Sequence, residues 1–307
     1  MKLLDAAAVA KAAPYRDVVE ALRVAFREPA TVPLRHIHQT KDATTLLLMP
    51  AWTEGWTGLK LVTVKPDNVE QGRPSIQGSY LLLDNNTGAP VAVMDAGELT
   101  RRRTAAASAL AADYLARPDA AVHAIIGAGA LCAHFAKAHR TVRPIAKTLI
   151  SNRTMDKAER AAQQLRDEGL DAEACDMETA VRQADIVSAM TNSTAPLIRG
   201  GWLKPGTHLD LAGAYKPTMR ETDAEAVAMS AVFVDDREGA HAEAGDLIQA
   251  KAEGKFEFSS IKADLMELCS GKHRGRQNGR EITLFKSCGS ALEDLATAVM
   301  VHLRTTP

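Results

Sequence analysis

Apolar residues recur along the chain in two different patterns, which change near residue 120. Residues 15–27 carry apolar side chains at helical spacing, with charged residues between them, which predicts an amphipathic helix. Four short apolar or β-branched runs follow, separated by Pro, Gly and Asn-Asn-Thr-Gly turns, at residues 44–49, 58–64, 79–83 and 90–94. Consecutive strands without helices between them predict an antiparallel or mixed sheet in a first, α+β domain. An alanine-rich helix over residues 100–115 and the following Arg117-Pro118 predict that this domain ends at residue 118.

From residue 121 onwards, predicted strands alternate with predicted helices. The strands are expected at residues 122–126, 147–151, before Cys175, and at 186–190, 208–212 and 232–235, with helices over 131–139 and 157–166. Such alternation predicts a parallel sheet with helices on both faces, a doubly wound α/β domain over residues 119–288. A last helix over 290–303 lies beyond the repeat, from where it could return to pack on the first domain.

The composition of the chain bears on which classes of binding partner are expected. The chain has 307 residues with 37 Lys and Arg against 38 Asp and Glu, so we expect neither a nucleic-acid nor a membrane partner. Asp5 falls where a signal peptide would have its apolar run, and no segment approaches the length of a membrane span, which predicts a cytoplasmic protein. Four widely separated cysteines lack metal-ligand spacing, so free thiols and no metal site are expected.

The turn Gly127-Ala-Gly129, between a strand and a helix, predicts a dinucleotide-binding site. Gly127 permits a tight turn, Gly129 lets the backbone approach a pyrophosphate, and the helix N-terminus offers N–H groups to it. The usual third glycine is absent, and Cys132 stands in its place. A purely structural turn is therefore the alternative interpretation.

The segment Asn152-Arg153-Thr154, after the next predicted strand, favours NADP(H). No carboxylate is present there to bind the ribose 2′-hydroxyl of NAD, whereas Arg153 can bind a 2′-phosphate. Asn152 can donate a hydrogen bond, and Thr154 can bind the phosphate or cap the following helix. We expect NADPH as the preferred cofactor and NADH as an alternative; a surface charge and a simple helix cap are the competing interpretation.

Three cationic residues of the first domain suggest a site for a carboxylate. Lys60 interrupts an apolar strand, Arg103 begins a helix of small residues, and Arg35 precedes the first pair of strands. Guanidinium groups bind carboxylates through paired hydrogen bonds, so the three together would clamp an α-carboxylate. Each of them taken alone is more often a surface charge.

Six blocks of sequence, in their order and spacing, resemble the ornithine cyclodeaminase and μ-crystallin family over nearly the whole chain. They are residues 58–68, 72–75, 99–107, 127–130, 204–208 and 289–294. The resemblance implies an N-terminal substrate-binding and dimerisation domain that residues 289–307 rejoin, a Rossmann domain, and a homodimer. It implies that Arg35, Lys60 and Arg103 face a substrate carboxylate and that Ser75 lies near the nicotinamide. It also implies that the cofactor site includes Gly127, Gly129, Ala130, Leu131, Asn152, Arg153, Thr154, Thr191, Ala212, Gly213 and Ser287.

Two residues depart from the family pattern. Tyr215 stands where the ornithine-deaminating members have an aspartate, and a neutral phenol does not accept a proton as a carboxylate does. Ornithine cyclodeamination is thereby placed in doubt. Leu131 replaces a glutamine beside the pyrophosphate, whose contact backbone N–H groups can supply instead.

Residues 209–221, 235–239 and 244–246 are most similar to those of the pyrroline-carboxylate reductases of this family. The resemblance thus implies NAD(P)H-dependent reduction of Δ1-pyrroline-2-carboxylate or Δ1-piperideine-2-carboxylate to L-proline or L-pipecolate. Lys60, Arg103 and Tyr215 would be the catalytic residues, with Tyr215 or a water bonded to the imine N–H. An L-alanine or related amino-acid dehydrogenase, an ornithine cyclodeaminase, and a non-catalytic NADPH-binding or ligand-binding protein are the alternatives.

Overall fold

The computed structural model describes residues 1–40 and 44–306. The chain divides into two compact units, Met1–Thr104 with Ser290–Pro307, and Ala105–Gly289. The division falls inside a helix, Ala96–Leu115, whereas the sequence predicted a boundary after it, at residue 118. The second half of that helix belongs to the α/β unit, where Arg276 donates to the carbonyl of Leu115 and Arg143 binds Asp113. An alanine-rich helix gives no sequence signal for such a division along its length.

The first 115 residues contain six strands and three helices in their described part. They are β1 (Lys2–Leu4), α1 (Ala6–Ala12), α2 (Tyr15–Ala25), β2 (His36–Gln39), β3 (Thr45–Trp52), β4 (Trp56–Val64), the 3₁₀ turn Pro66–Gln71, β5 (Ile76–Asp84), β6 (Ala89–Asp95) and α3 (Ala96–Leu115). The predictions of α2, α3 and strands β3 to β6 are confirmed, whereas β1, α1 and β2 were not predicted. Helix α3 begins four residues before its predicted start, because the Asp95 carboxylate caps it by accepting from the Glu98 N–H.

The second unit alternates strands and helices as predicted. Its elements are β7 (Val122–Ile126), α4 (Cys132–His139), β8 (Lys147–Ser151), α5 (Met155–Asp167), β9 (Ala172–Ala174), α6 (Met177–Gln183), β10 (Ile186–Ala189), the 3₁₀ turn Gly200–Trp202, β11 (His208–Leu211), α7 (Ala224–Ala228), β12 (Ala231–Val234), α8 (Arg237–Glu243), α9 (Gly245–Ala252), the 3₁₀ turn Phe258–Ser260, β13 (Ala263–Asp264), α10 (Leu265–Cys269) and β14 (Thr283–Lys286). The chain ends in α11 (Ala291–Thr305), which belongs to the first unit.

The first unit is built on one sheet with the strand order β1-β6-β5-β4-β3-β2. All neighbouring strands are antiparallel except β1, which runs parallel to β6. Side chains that alternate along β3 to β6, including Met49, Val62 and Leu82, are buried on the face that contacts α11. Lys60 of β4 also lies on this buried face, a position that is unusual for a charged side chain.

The second unit contains a fully parallel sheet, as the sequence predicted, with the order β13-β12-β14-β11-β10-β7-β8-β9. The chain starts this sheet at β7, adds β8 and β9 on one side, and then crosses to β10 on the other. Doubly wound sheets bind ligands where the strand order reverses in this way, at the carboxyl ends of the strands. The reversal point lies beside Gly127, directly after β7.

A buried polar cluster stabilises the centre of this sheet. The Asp210 carboxylate of β11 accepts hydrogen bonds from Ser108 at 2.9 Å and Ser188 at 2.7 Å, and lies 3.5 Å from the His139 ring. The His123 ring lies 2.9 Å from the Ser188 hydroxyl. Burial, followed by the neighbouring histidines, holds the pKa of His123 well below its usual value, so its ring is neutral. The cluster joins β7, β10 and β11 to α3 and α4.

Candidate active site

Two buried cations of the first unit share one carboxylate. Lys60 on β4 and Arg103 on α3 are 2% and 6% exposed, and both reach the first turn of α11. Asp294 places one oxygen 2.6 Å from the Lys60 Nζ and the other 3.0 Å from the Arg103 Nε. Glu293 adds an oxygen 2.5 Å from an Arg103 nitrogen. The sequence predicted that Arg35, Lys60 and Arg103 act together, and the last two do lie together in the structure.

The helix geometry explains why Arg103, and not its two neighbours, belongs to this cluster. Arg101 and Arg102 both bind Glu98, one turn earlier on the same helix. Successive residues of a helix point about 100° apart, so Arg103 faces a different direction and reaches α11. The first two arginines therefore share a partner on their own helix, and only the position of Arg103 directs its side chain into the buried cluster.

The charges of the cluster act on Lys60. Burial, and after it the nearby Arg103, lower the pKa of Lys60 to about 8, although Asp294 raises it. Arg35, a half-buried residue, lies close enough that its charge also lowers the pKa of Lys60. Arg35 thus belongs to the same neighbourhood as the other two cations. Lys60 is predominantly charged at pH 7, and it loses its charge in a mildly alkaline range.

Glu293 and Asp294 are site residues that the sequence prediction missed. They lie in a block that was used for the family resemblance, but no role was assigned to them. Both residues lie in the first turn of α11, after the Ser290 cap. Acidic residues at this position of a helix usually lie at the surface, where they interact favourably with the helix dipole. Both are instead fully buried. Their proximity to Lys60 and Arg103 depends on the return of α11 to the first unit, which local sequence does not show.

The turn after β7 has the conformation that the sequence predicted. Gly127 adopts a positive φ of 115°, and a Cβ there would lie only 3.2 Å from the Thr191 methyl group. A Cβ at Gly129 would have no neighbour within 4 Å, so the backbone at this residue faces open space. Ala130 is exposed and Leu131 is half-buried at the N-cap of α4. This geometry leaves room for a phosphate group at the start of α4.

In the predicted ribose site, Asn152 hydrogen-bonds the backbone of the turn after β7. The Asn152 amide accepts from the Ala128 N–H at 3.3 Å and donates to the Thr154 carbonyl at 3.0 Å. Thr154 occupies the N-cap position of α5, but its side chain forms no capping hydrogen bond. Arg153 is exposed. Asn152 therefore has a positioning contact that the sequence did not predict.

A cavity of about 280 Å³ adjoins the same turn. Its walls include Gly129 of the turn, His134 of α4, and Lys157 and Arg160 of α5. Two cationic side chains beside an open glycine form a surface suited to an anionic group. Neither lysine nor arginine of α5 was singled out from the sequence, because cations on an exposed helix are common.

Buried carboxylates hold the loops at the carboxyl ends of β10, β11 and β14. Glu221 accepts from the backbone N–H groups of Thr191 at 2.6 Å and Gly213 at 2.7 Å. Asp235 accepts from the Ser287 hydroxyl at 2.9 Å and from the N–H of Gly289 at 2.6 Å. Three of the residues predicted to line the cofactor site are thus fixed by side chains that the sequence prediction did not include.

The other predicted site residues lie in both units. Ala212 follows β11, and its N–H donates to the Ala189 carbonyl at 2.9 Å. Tyr215 is half-buried in the loop beyond Gly213, with the Lys216 Nζ 5.8 Å from its ring centroid. Ser75 belongs to the first unit, where its carbonyl accepts from the Lys65 N–H at 2.8 Å.

The second unit fits a dinucleotide cofactor. The open backbone at Gly129, the start of α4 and the cationic cavity form a cradle for phosphates. Among residues 1–40 and 44–306, no group of three or more His, Cys, Asp or Glu side chains is placed to hold a metal ion. No helix in this described part of the chain is long and apolar enough to cross a membrane.

Residues 2–306 match the family described as ornithine cyclodeaminase/mu-crystallin. The chain belongs to this family. It is 38% identical over 289 residues to a Delta(1)-pyrroline-2-carboxylate reductase of Paracoccus denitrificans, an alignment that covers 92% of this chain and 90% of that protein. The family resemblance stated from the sequence is therefore confirmed.

Two solved structures of the family are similar in fold. One is the Thermococcus litoralis Delta(1)-pyrroline-2-carboxylate reductase in complex with NADH and L-proline, with a TM-score of 0.94, 36% identity, and coverage of 99% of this chain and 97% of that chain. The other is an archaeal alanine dehydrogenase dimer with bound NAD, with a TM-score of 0.93, 30% identity, and coverage of 99% and 95%. Both likenesses extend over the two units of this chain.

Proposed function

We propose that this protein is an NAD(P)H-dependent reductase of cyclic imine carboxylates, acting on Δ1-pyrroline-2-carboxylate and its six-membered analogue. The observation that carries the proposal is the buried pair of Lys60 and Arg103, joined through Asp294. A relative 38% identical to this chain bears the name of such a reductase, and a similar solved structure contains NADH and L-proline. Proline carries the α-carboxylate that two adjacent cations can bind.

In this proposal Lys60 and Arg103 hold the substrate carboxylate, and Arg35 adds positive charge beside them. A guanidinium fork and an ammonium fix the orientation of a carboxylate better than either group alone. Lys60 stays charged for this role up to about pH 8. NAD(P)H supplies the hydride when it is bound, and the reduced carbon is C2 of the imine acid. Tyr215 is proposed to hydrogen-bond the imine N–H.

The proposed cofactor preference is for NADPH, with NADH as a second cofactor. Arg153 is exposed beside the end of β8, and Lys157 and Arg160 line the adjoining cavity. A 2′-phosphate carries almost two negative charges at pH 7, so nearby cations favour NADPH over NADH. The solved relatives named above contain NADH and NAD, which supports nicotinamide dinucleotides as the class.

A homodimer is proposed through the outer face of the first sheet. Leu48 and Leu61 are paired across β3 and β4 on that face, and Leu81 and Val93 are paired across β5 and β6. Leu61 is 42% exposed, and Leu3 beside Val93 is 77% exposed. An apolar sheet face of this kind is typical of a surface that a second copy covers. The archaeal alanine dehydrogenase of similar structure is described as a dimer.

The proposed function is tested by following the oxidation of NADPH and NADH with three substrates in parallel. Δ1-pyrroline-2-carboxylate and Δ1-piperideine-2-carboxylate are expected to be reduced, and pyruvate with ammonium is expected to react far more slowly. Faster turnover of pyruvate with ammonium would favour the alanine dehydrogenase alternative, which the similar archaeal structure keeps open. Ornithine deamination is not expected, because Tyr215 offers no carboxylate.

A further inference from the structure

The loops after β10 and β11 are joined by one buried carboxylate that no proposed catalytic step uses. Glu221 is fully buried, and each of its two oxygens accepts two hydrogen bonds. Oε1 accepts from the N–H of Thr191 at 2.6 Å and from its hydroxyl at 3.0 Å. Oε2 accepts from the N–H of Gly213 at 2.7 Å and of Ala214 at 3.2 Å. A single side chain therefore fixes both loops relative to each other.

The two loops approach each other closely at Gly213. A Cβ at Gly213 would overlap the Glu221 carboxylate and the Thr191 backbone. Only glycine thus permits the contact between the two loops, and the carboxylate closes it. The loop conformation depends on Glu221 as an acceptor, since the N–H groups of Thr191, Gly213 and Ala214 all point at it.

Glu221 is itself held by charged groups of two further elements. Asp246 of α9 accepts from the Glu221 N–H at 2.7 Å, and its second oxygen lies 3.3 Å from the Nζ of Lys286 on β14. These two residues, both fully buried, are the charged groups that face Glu221 among the described residues. Burial opposes the charge of Lys286, but Asp246, Cys288 and Glu221 outweigh burial and raise the pKa of Lys286. Two carboxylates and one ammonium therefore share an enclosed space.

We infer that Glu221 is a positioning residue whose ionised carboxylate organises the loops after β10 and β11 for the nicotinamide dinucleotide, so that protonation of Glu221 weakens cofactor binding. This inference rests on the proposed cofactor role of Thr191 and Gly213. A protonated carboxyl turns one of its acceptor oxygens into a donor, which then faces an N–H group. One of the two loops consequently loses its anchor.

Burial raises the pKa of Glu221 to about 6, and Lys286 and the loop N–H groups oppose this rise. The predicted loss of affinity consequently begins near neutral pH, within the range where the protein can be studied. The Lys286 charge lowers the pKa of Glu221, so without that charge the loss of affinity should begin at a higher pH in Lys286→Met. A purely structural role of Glu221 would not move this midpoint.

The test is a titration of NADH binding to the full-length protein between pH 5 and 8, followed by calorimetry. NADH is used because it has no 2′-phosphate, which titrates in the same range. The wild-type dissociation constant is expected to be constant from pH 8 to 7 and to rise about three- to tenfold by pH 5, the effect of weakening one or two hydrogen bonds. Circular dichroism at each pH verifies that the protein is folded. His134→Gln should keep the same midpoint, although His134 lines the adjoining cavity.

Three variants complete the test. Glu221→Gln keeps the shape but has only one acceptor oxygen, so its NADH affinity at pH 7.5 should fall at least about tenfold and lose its pH dependence. Glu253→Gln is the matched control, since Glu253 binds Arg220 near the surface and should leave binding unchanged. Lys286→Met should shift the midpoint upward. Should one of Lys286→Met and Glu221→Gln not fold, the other still tests whether Glu221 sets the midpoint, and a wild-type affinity that does not change with pH overturns the inference without either variant.

The possible results separate this inference from the proposed function. Wild-type NADH affinity that does not vary between pH 5 and 8, in a folded protein, would overturn the inference and leave the reductase proposal intact. A midpoint that moves in His134→Gln would overturn it as well. No detectable binding of NADH or NADPH at pH 7.5 would instead contradict the proposed function.

Discussion

Replacing Asp294 by asparagine removes the charge that Lys60 and Arg103 share. The carboxylate lies 2.6 Å from the Lys60 Nζ and 3.0 Å from the Arg103 Nε, and all three side chains are buried. Removing one partner of a buried ion pair leaves an uncompensated charge and typically costs about 3–5 kcal/mol. The asparagine amide would also direct a donor towards a cation. We expect the free energy of unfolding to fall by about this amount, which corresponds to a melting temperature lower by on the order of 10 °C.

The same substitution should change the pH dependence of substrate binding. Asp294 is the group that raises the pKa of Lys60, so without it the pKa falls below its value of about 8. The KM for the imine acid in Asp294→Asn should then be higher at pH 7.5 and recover as the pH is lowered. The assay is a urea titration for stability and steady-state kinetics between pH 6 and 9 for KM.

Glu293→Gln is the matched control for this prediction. Glu293 binds Arg103 in the same helical turn, whereas the ion pair of Lys60 is with Asp294. It should therefore destabilise the protein while leaving the pH profile of KM in place. An Asp294→Asn variant with wild-type stability within about 1 kcal/mol and an unchanged pH profile would refute the role given to Asp294. A double variant with Lys60→Met should lose less stability than the sum of the single variants.

The remaining predictions concern other parts of the molecule. In the wild type, the KM for the imine acid should be constant below about pH 8 and rise above it, because Lys60 loses its charge as the pH passes its pKa; steady-state kinetics measure this, and a flat profile to pH 9.5 would exclude Lys60 as the carboxylate ligand. Arg153→Ala should weaken NADPH binding about tenfold or more and spare NADH, as calorimetry can determine; equal losses for both would remove Arg153 from the 2′-phosphate site. Leu61→Lys on the outer sheet face should yield a monomer in light scattering, whereas Met266→Lys, at a similarly exposed residue of the second unit, should not. Asp210→Asn should lower the free energy of unfolding by about 3 kcal/mol in urea, since one of the two buried serine hydroxyls then faces an amide donor instead of an acceptor; a loss below about 1 kcal/mol would contradict the importance of that cluster.

Much of the fold was predictable because its elements follow local patterns. The alternation of apolar strands with amphipathic helices after residue 121 predicted the parallel sheet, and short strands in succession predicted the mixed one. Strand β14 was missed, because its four residues are all buried and one of them is a lysine, Lys286. Its lysine is paired with Asp246, a residue forty positions earlier in the chain. Sequence alone does not reveal such a pairing.

The site residues also fall into two groups: those that the local sequence indicates and those whose position depends on distant segments of the chain. Gly127 was predicted to permit a tight turn between a strand and a helix, and its positive φ agrees with that prediction. Lys60 was notable because a charged residue in an apolar strand needs an explanation. Glu293 and Glu221 gave no such signal, since acids near helix starts and in loops are ordinary surface residues. Their burial depends on α11 and α9, which the chain brings to them from a distance.

The transfer of hydride to the imine carbon is the central claim, and isotope labelling tests it most directly. The protein is incubated with Δ1-pyrroline-2-carboxylate and with NADPH or NADH that carries two deuterium atoms at C4 of the nicotinamide, and the product is analysed by chiral chromatography and mass spectrometry. We predict L-proline with one deuterium at C2. Unlabelled proline, a racemic product, or no proline from either deuterated cofactor would contradict the account.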